Sequence, residues 1–298
     1  MEMKRILTLA ALLISLAYLY RVIDIDELRL ALKTASLEYI LIAFSLSVLT
    51  VILSTLRWHL FLREIQGTSF KETLRAFISG YYLMTVLPPS VGHVVKVKLV
   101  GGDYFKALSS LAIGISTEIL VVLSFALIFF GLTKLGILAL ALILLALIYE
   151  ESVYKALDSF LKFWERVGLK GLISTLRAYL DRIYSGWKGA KNNKVVFLLS
   201  FLLSTVIIFL QVWGIIEVGK AFGLKVSMRR ALYGFLMSVL FASLSGIPAG
   251  FGANEFGLVL GIGASTKAAV TAFVYKFLFQ YVYSIVGAVA FYQALNRG

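Results

Sequence analysis

From Leu108 to Leu132 the chain runs twenty-five residues with a single charged side chain, Glu118. At about 1.5 Å of rise per residue such a run crosses the roughly 30 Å hydrocarbon core of a bilayer, where only a helix or a closed barrel leaves no backbone polar group unpaired. It is therefore read as a transmembrane helix. Further apolar runs of spanning or near-spanning length are Ile6 to Tyr20, Tyr39 to Leu56, Leu135 to Tyr149, Val195 to Val218 and Thr266 to Leu295. Only 15% of the 298 residues are charged, against about 25% in soluble domains. The expected fold class is an all-α integral membrane protein with about six transmembrane helices. Residues 1–298 form a single polytopic domain, and no soluble catalytic domain is left over.

The remaining composition narrows the chemistry. Without cysteine there is no disulfide framework, thiolate metal site or cysteine nucleophile. Two histidines, His59 and His93, do not make a histidine-rich metal centre; carboxylate and oxygen sites stay open, and no particular metal or cofactor is expected. The formal charge of +13 is not gathered on one soluble basic face, so anionic lipid headgroups are a better partner than nucleic acid. A homo-oligomer is compatible with this reading. The first run follows Lys4 and Arg5, has no small-residue cleavage site, and is read as an uncleaved span. Arg57-Trp58-His59 reads as an interfacial anchor at the end of the second span. The segment 150–194 carries nine Lys/Arg and five Asp/Glu around apolar positions at helical spacing, which reads as amphipathic helices on the membrane face. With the amino terminus inside, eighteen basic residues fall on the inner side and nine on the outer. That split places both termini in the cytoplasm and the protein, multi-pass, in the cell membrane.

Two apolar runs are too short to cross. Ala76 to Leu87 stops at Pro88-Pro89 and Gly92, and about twelve residues reach about 18 Å. Its return limb carries His93, Lys96 and Lys98, a composition that does not face lipid. Ala231 to Ser245 stops at Gly246-Ile-Pro248-Ala-Gly250-Phe-Gly252, and Asn254 and Glu255 open its return limb. Both breaks share Pro-x-x-x-Gly and follow a basic residue, Arg75 or Arg230. The first would re-enter from inside and the second from outside. This is the pattern of an inverted repeat, with halves at about 39–149 and 195–295, in which broken helices meet a substrate near the midplane. Two unrelated kinks are the alternative.

These residues resemble a known family. Leu87-Pro-Pro-Ser-Val-Gly92-His-Val-Val-Lys96, Glu118, Gly246-Ile-Pro-Ala-Gly-Phe-Gly-Ala-Asn-Glu255 and Tyr275-Lys276 are similar, in order, to the lysylphosphatidylglycerol synthase transmembrane (flippase-like) family. That family has a glutamate and an arginine where this chain has His93 and Lys96, and an arginine at Lys276. Lysine keeps the charge but loses the bidentate fork of arginine. The resemblance implies a stand-alone membrane domain without aminoacyl transfer, related to lipid flippases and to the membrane half of lipid-aminoacylating enzymes.

Glu118, about 15 Å deep in its span, needs a partner or a purpose. A structural ion pair with Lys96 or Lys98 and a part in substrate or proton handling are both open. Glu255 either pairs with Lys276, with Gln280 as a further donor, or serves as a first-turn residue favoured by the helix dipole. Asn254 reads as a cap. Gly92, Gly250 and Gly252 either bring backbone N–H groups to a phosphate or only break helices. His93 either titrates near neutral pH as a switch or is simply a hydrogen-bonded histidine. Lys96, Lys98 and Lys276 suit a phosphate, and Glu118 and Glu255 an amine or a proton. The expected function is a lipid flippase-like transporter moving an anionic or zwitterionic headgroup, phospholipid or polyprenyl-phosphate-linked, through a polar midplane chamber. It is not expected to be an enzyme, and no Gly-x-x-x-x-Gly-Lys-[Ser/Thr] loop for ATP occurs. The alternatives are a membrane glycosyltransferase using Asp24, Asp26 and Glu27, and a non-transporting scaffold.

Overall fold

The computed structural model describes residues 2–87, 89–129, 131, 133–138, 141, 149–166, 176–178, 180, 181, 184 and 194–295. Their regular structure is helical, with no strand among the described residues, as the unbroken apolar runs require. In chain order the helices are α1 (Glu2–Val22), α2 (Ile25–Lys33), α3 (Leu37–Gln66), α4 (Phe70–Val86), α5 (Pro89–Lys98) and α6 (Tyr104–Phe129). There follow α7 (Glu150–Arg166), α8 (Lys194–Ala221), α9 (Met228–Ser245), α10 (Ala253–Ile262), α11 (Thr266–Lys276) and α12 (Val282–Leu295), the last two joined by a π-helical turn, Phe277–Tyr281. Four stretches among the described residues are long and apolar enough to cross a membrane: Leu37–Gln66, Tyr104–Ile128, Val195–Ala221 and Thr266–Ala294. Of the other two expected spans, α1 offers a shorter described apolar stretch, Leu12–Val22, and Leu135 to Tyr149 lies mostly outside the described residues.

Turn chemistry sets the boundaries. Gly67, at φ 68°, follows α3, and Ser69 and Glu72 close a reciprocal capping box on α4 through Glu72 N to Ser69 Oγ (3.3 Å) and Ser69 N to Glu72 Oε2 (3.0 Å). Asp103 caps α6 by accepting from the amides of Phe105 and Lys106. Inside the apolar helices, serine and threonine hydroxyls return their protons to the preceding turn. Thr55 Oγ1 donates to the Val51 carbonyl at 2.8 Å and Ser204 Oγ to the Ser200 carbonyl at 2.9 Å. Such residues then cost little in a lipid-embedded helix.

The chain divides into two compact units. One gathers Met1–Thr55, Leu74–Leu99 and Val206–Gly298. In it α4 and α5 fold back on each other: a Cβ on Gly92 would lie 2.9 Å from the Met84 side chain, and one on Gly80 would collide with Lys96. The same unit holds a second helical hairpin, α9 and α10. Ala253, Gly257 and Gly261 recur every four residues along α10, and Gly261 lies directly on the backbone of Gly234 in α9. Small residues at that interval let two helices approach backbone to backbone. Phe241 and Phe256 lock the hairpin near its loop, edge to face at 5.0 Å.

The second unit gathers Leu56–Thr73 and Val100–Thr205. Its core includes Phe61, Ile113 and Val196, with Phe197 edge-on to Phe61 at 6.0 Å. Here the sequence expectation fails at Arg57-Trp58. Helix α3 does not stop at Leu56 but runs on to Gln66, because Leu60, Phe61 and Leu62 continue its apolar face. Trp58 is buried and donates to Ser110 Oγ at 3.0 Å, so it is a core residue rather than an interfacial anchor.

Candidate functional site

The most heavily constrained backbone lies between α9 and α10. Gly246 ends α9 in the left-handed conformation, and Ala249 (φ 57°), Gly250 (φ 64°) and Gly252 (φ 79°) repeat it. Glycine adopts this freely, but alanine pays about 1–2 kcal/mol, and Ala249 is the one non-glycine residue with positive φ among the described residues. Its carbonyl is held from outside the loop. Lys276 Nζ donates to Ala249 O at 2.8 Å, and Gln280 Nε2 reaches the same oxygen at 3.5 Å.

Glu255, in the first turn of α10, is fully buried. Its Oε2 accepts from the Gly252 amide at 2.8 Å and its Oε1 from Tyr281 O–H at 3.1 Å. One bond is the return half of a helix cap, and the N-terminal end of the helix dipole favours the charge. Glu255 and Lys276 make no direct ion pair, which corrects one of the two readings of their relation. The first-turn reading of Glu255 holds, and Lys276 is turned to a carbonyl instead. An ammonium carries three donors, and this one, 3% exposed, makes a single hydrogen bond. A buried cation so sparsely satisfied is costly unless an anion or further acceptors reach it.

The π turn puts these groups on one side. One extra residue in the turn brings Tyr281 alongside Lys276 and Gln280, and such bulges are frequent at functional sites. Gly214 of α8 leaves room there for the ring of Phe279. Sequence spacing reveals Lys276 and Gln280, four apart, but it misses Tyr281, because a regular helix turns position 281 away.

Other expected site residues fall elsewhere. Asn254 is not the cap of α10: Gly252 occupies that position, and Asn254 Oδ1 accepts from Ser238 of α9. Gly250 and Gly252 offer no phosphate cradle, since their amides donate to Ile247 O and to Glu255. Pro248 opens the 3-10 turn Pro248–Gly250. At the first break Pro88 lies outside the described residues, and Pro89 opens α5, where its missing N–H is no loss. Gly92 lies within α5, packed on Met84, so it is a close-approach residue and not a break. Lys96 is buried under Gly80 with Nζ 4.9 Å from the centre of the Phe77 ring. One turn before it, His93 keeps Nδ1 buried without a hydrogen-bond partner. Lys98 is exposed.

Glu118 pairs with neither Lys96 nor Lys98. Its Oε2 accepts from Arg57 Nη2 at 2.6 Å, and Arg57 Nη1 donates to Ser204 Oγ at 2.9 Å. Arg57 was legible only by following α3 past Leu56. The acidic trio after α1 is explained locally. Asp24 caps α2 by accepting from Glu27 N at 2.8 Å, and Asp26 faces Arg29 at 3.7 Å. No group of three or more His, Asp or Glu placed to hold a metal ion occurs among the described residues.

An all-helical chain with four stretches long and apolar enough to cross a membrane among the described residues is an integral membrane protein of the all-α class. The family model for the lysylphosphatidylglycerol synthase TM region matches residues 7–287 of 298, and the chain belongs to that family. Comparison with curated proteins finds no match.

Proposed function

We propose that this protein is a lipid flippase-like transporter that passes an anionic or zwitterionic headgroup, on a phospholipid or a polyprenyl phosphate, across the bilayer while the acyl chains stay in hydrocarbon. The observation that carries the reading is Lys276, a buried ammonium with one hydrogen bond, at the loop of a broken helix. A phosphate oxygen supplies the acceptors it lacks, and charge-assisted hydrogen bonds of this kind are the strong ones. Glu255 keeps the local charge balanced and, through Tyr281 and Gly252, holds the loop open as a headgroup leaves. The hairpins α4–α5 and α9–α10 serve as the paired re-entrant elements of an inverted repeat, with both termini on the cytoplasmic face of the cell membrane. The chain's own residues bind and release the headgroup and transfer no group to it.

The test is reconstitution in liposomes with fluorescent headgroup-labelled lipids and a membrane-impermeant reductant. Wild type exposes the inner-leaflet label to the reductant, and Lys276→Ala abolishes that exposure while the folded yield stays the same. If wild-type protein moves neither phospholipids nor polyprenyl phosphates, the transport reading fails and a scaffold role takes its place.

A further inference from the structure

Helix α7 wears its polarity inside out. On the polar face Asp158 accepts from Lys162 at 2.7 Å and from Arg177 at 2.8 Å. Tyr154 donates to Asp181 at 2.6 Å and stacks on the Tyr184 ring at 4.0 Å. The polar face is thus turned toward the protein's own Arg177, Asp181 and Tyr184. At about 100° per residue Val153, Leu157 and Phe160 fall within about 60° of arc, which Phe163 widens to about 120°. These four are 40%, 46%, 58% and 59% exposed. A helix on a water-facing surface is arranged the other way round. With seven charged residues in seventeen, α7 does not cross a bilayer, and the segment 150–194 is basic, nine Lys/Arg to five Asp/Glu.

We propose that α7 is a bilayer-docking helix whose apolar face lies in the headgroup layer of the same membrane, with a preference for anionic lipid. Phe160 and Leu157 enter the acyl boundary, and the basic excess of the segment 150–194, nine Lys/Arg to five Asp/Glu, favours acidic headgroups. An apolar helix face laid into the headgroup layer is how interfacial helices bind, and each basic residue near an anionic surface strengthens the attachment. This docking stands apart from the transport reading.

The cysteine-free sequence makes the test direct. Phe160→Cys and Lys155→Cys proteins, each carrying an environment-sensitive fluorophore, are reconstituted in phosphatidylcholine liposomes with and without phosphatidylglycerol. The expected result is a blue-shifted probe at 160, quenched several-fold more by shallow nitroxide-labelled lipid than the probe at 155, and more strongly still with phosphatidylglycerol. Aqueous iodide quenches the probe at 155 preferentially. Equal iodide quenching at both sites overturns the proposal. So does a probe at 160 shielded from iodide yet untouched by nitroxide lipid, which would mean that a protein surface or a second copy covers the face. Equal lipid quenching with and without phosphatidylglycerol overturns the anionic preference.

Discussion

Arg57 on α3 and Glu118 on α6 meet 2.6 Å apart, the guanidinium 8% exposed and the carboxylate 31%. The pair joins two helices that each qualify as membrane spans. It is asymmetric: the cation is enclosed and also bound to Ser204, while the anion keeps an open side. Removing the anion therefore hurts most, because the buried cation is stranded. Glu118→Ala should destabilise the protein by about 2–3 kcal/mol, less than the roughly 3–5 kcal/mol of a fully buried pair. Arg57→Leu combined with Glu118→Leu should be less damaging than Glu118→Ala alone. Thermal unfolding in detergent gives the comparison, and a double variant worse than the single one would refute it.

At Ala249 the left-handed backbone predicts a gain from losing a methyl group. Ala249→Gly removes about 1–2 kcal/mol of strain and costs up to about 1 kcal/mol in chain entropy, a net stabilisation of roughly 0.5–1 kcal/mol. Ala249→Val should destabilise by more than Ala249→Gly stabilises. The melting temperatures of the two variants should therefore move in opposite directions.

The α9–α10 hairpin depends on backbone contact. A Cβ on Gly261 would run into the Gly234 backbone, and the helices would have to separate, so Gly261→Ala should cost about 1–3 kcal/mol. Gly114 in α6 is the control. A Cβ there meets nothing within 4 Å, and Gly114→Ala should stabilise by about 0.5–1 kcal/mol. Loss of stability in both variants would refute the packing account.

Outside the spans, Asp158 has a carboxyl held below its ordinary value of 3.8 by hydrogen bonds from Lys162 and Arg177. A depressed acid contributes stability above its unfolded value and loses it as pH falls through the folded one. The contact between α7 and Arg177 should therefore persist at neutral pH and weaken only below about 3.8. Limited proteolysis of the 150–194 segment across an acid titration reads this out. In Asp158→Asn the segment should be cleaved readily already at neutral pH.

Hydropathy alone determined the membrane class. A long uncharged run has one economical way to satisfy its backbone in lipid, and a proline after such a run ends the helix, because it lacks the N–H and its ring clashes with the preceding turn. Hence four of the six expected spans, the two helix breaks, and the placement of Lys276 and Gln280 on one helix face were legible in the linear chain. The partners of buried charges were not. Lysine and glutamate side chains reach several ångströms in any direction, so spacing could not tell that Glu118 would find Arg57, or that Lys276 would turn to the Ala249 carbonyl and leave Glu255 to Gly252 and Tyr281. Those choices depend on a π turn that shifts Tyr281 by one residue and on helix α3 running on past Leu56. Only packing fixes both, because each is favourable only when the neighbouring helix is already in place to receive it.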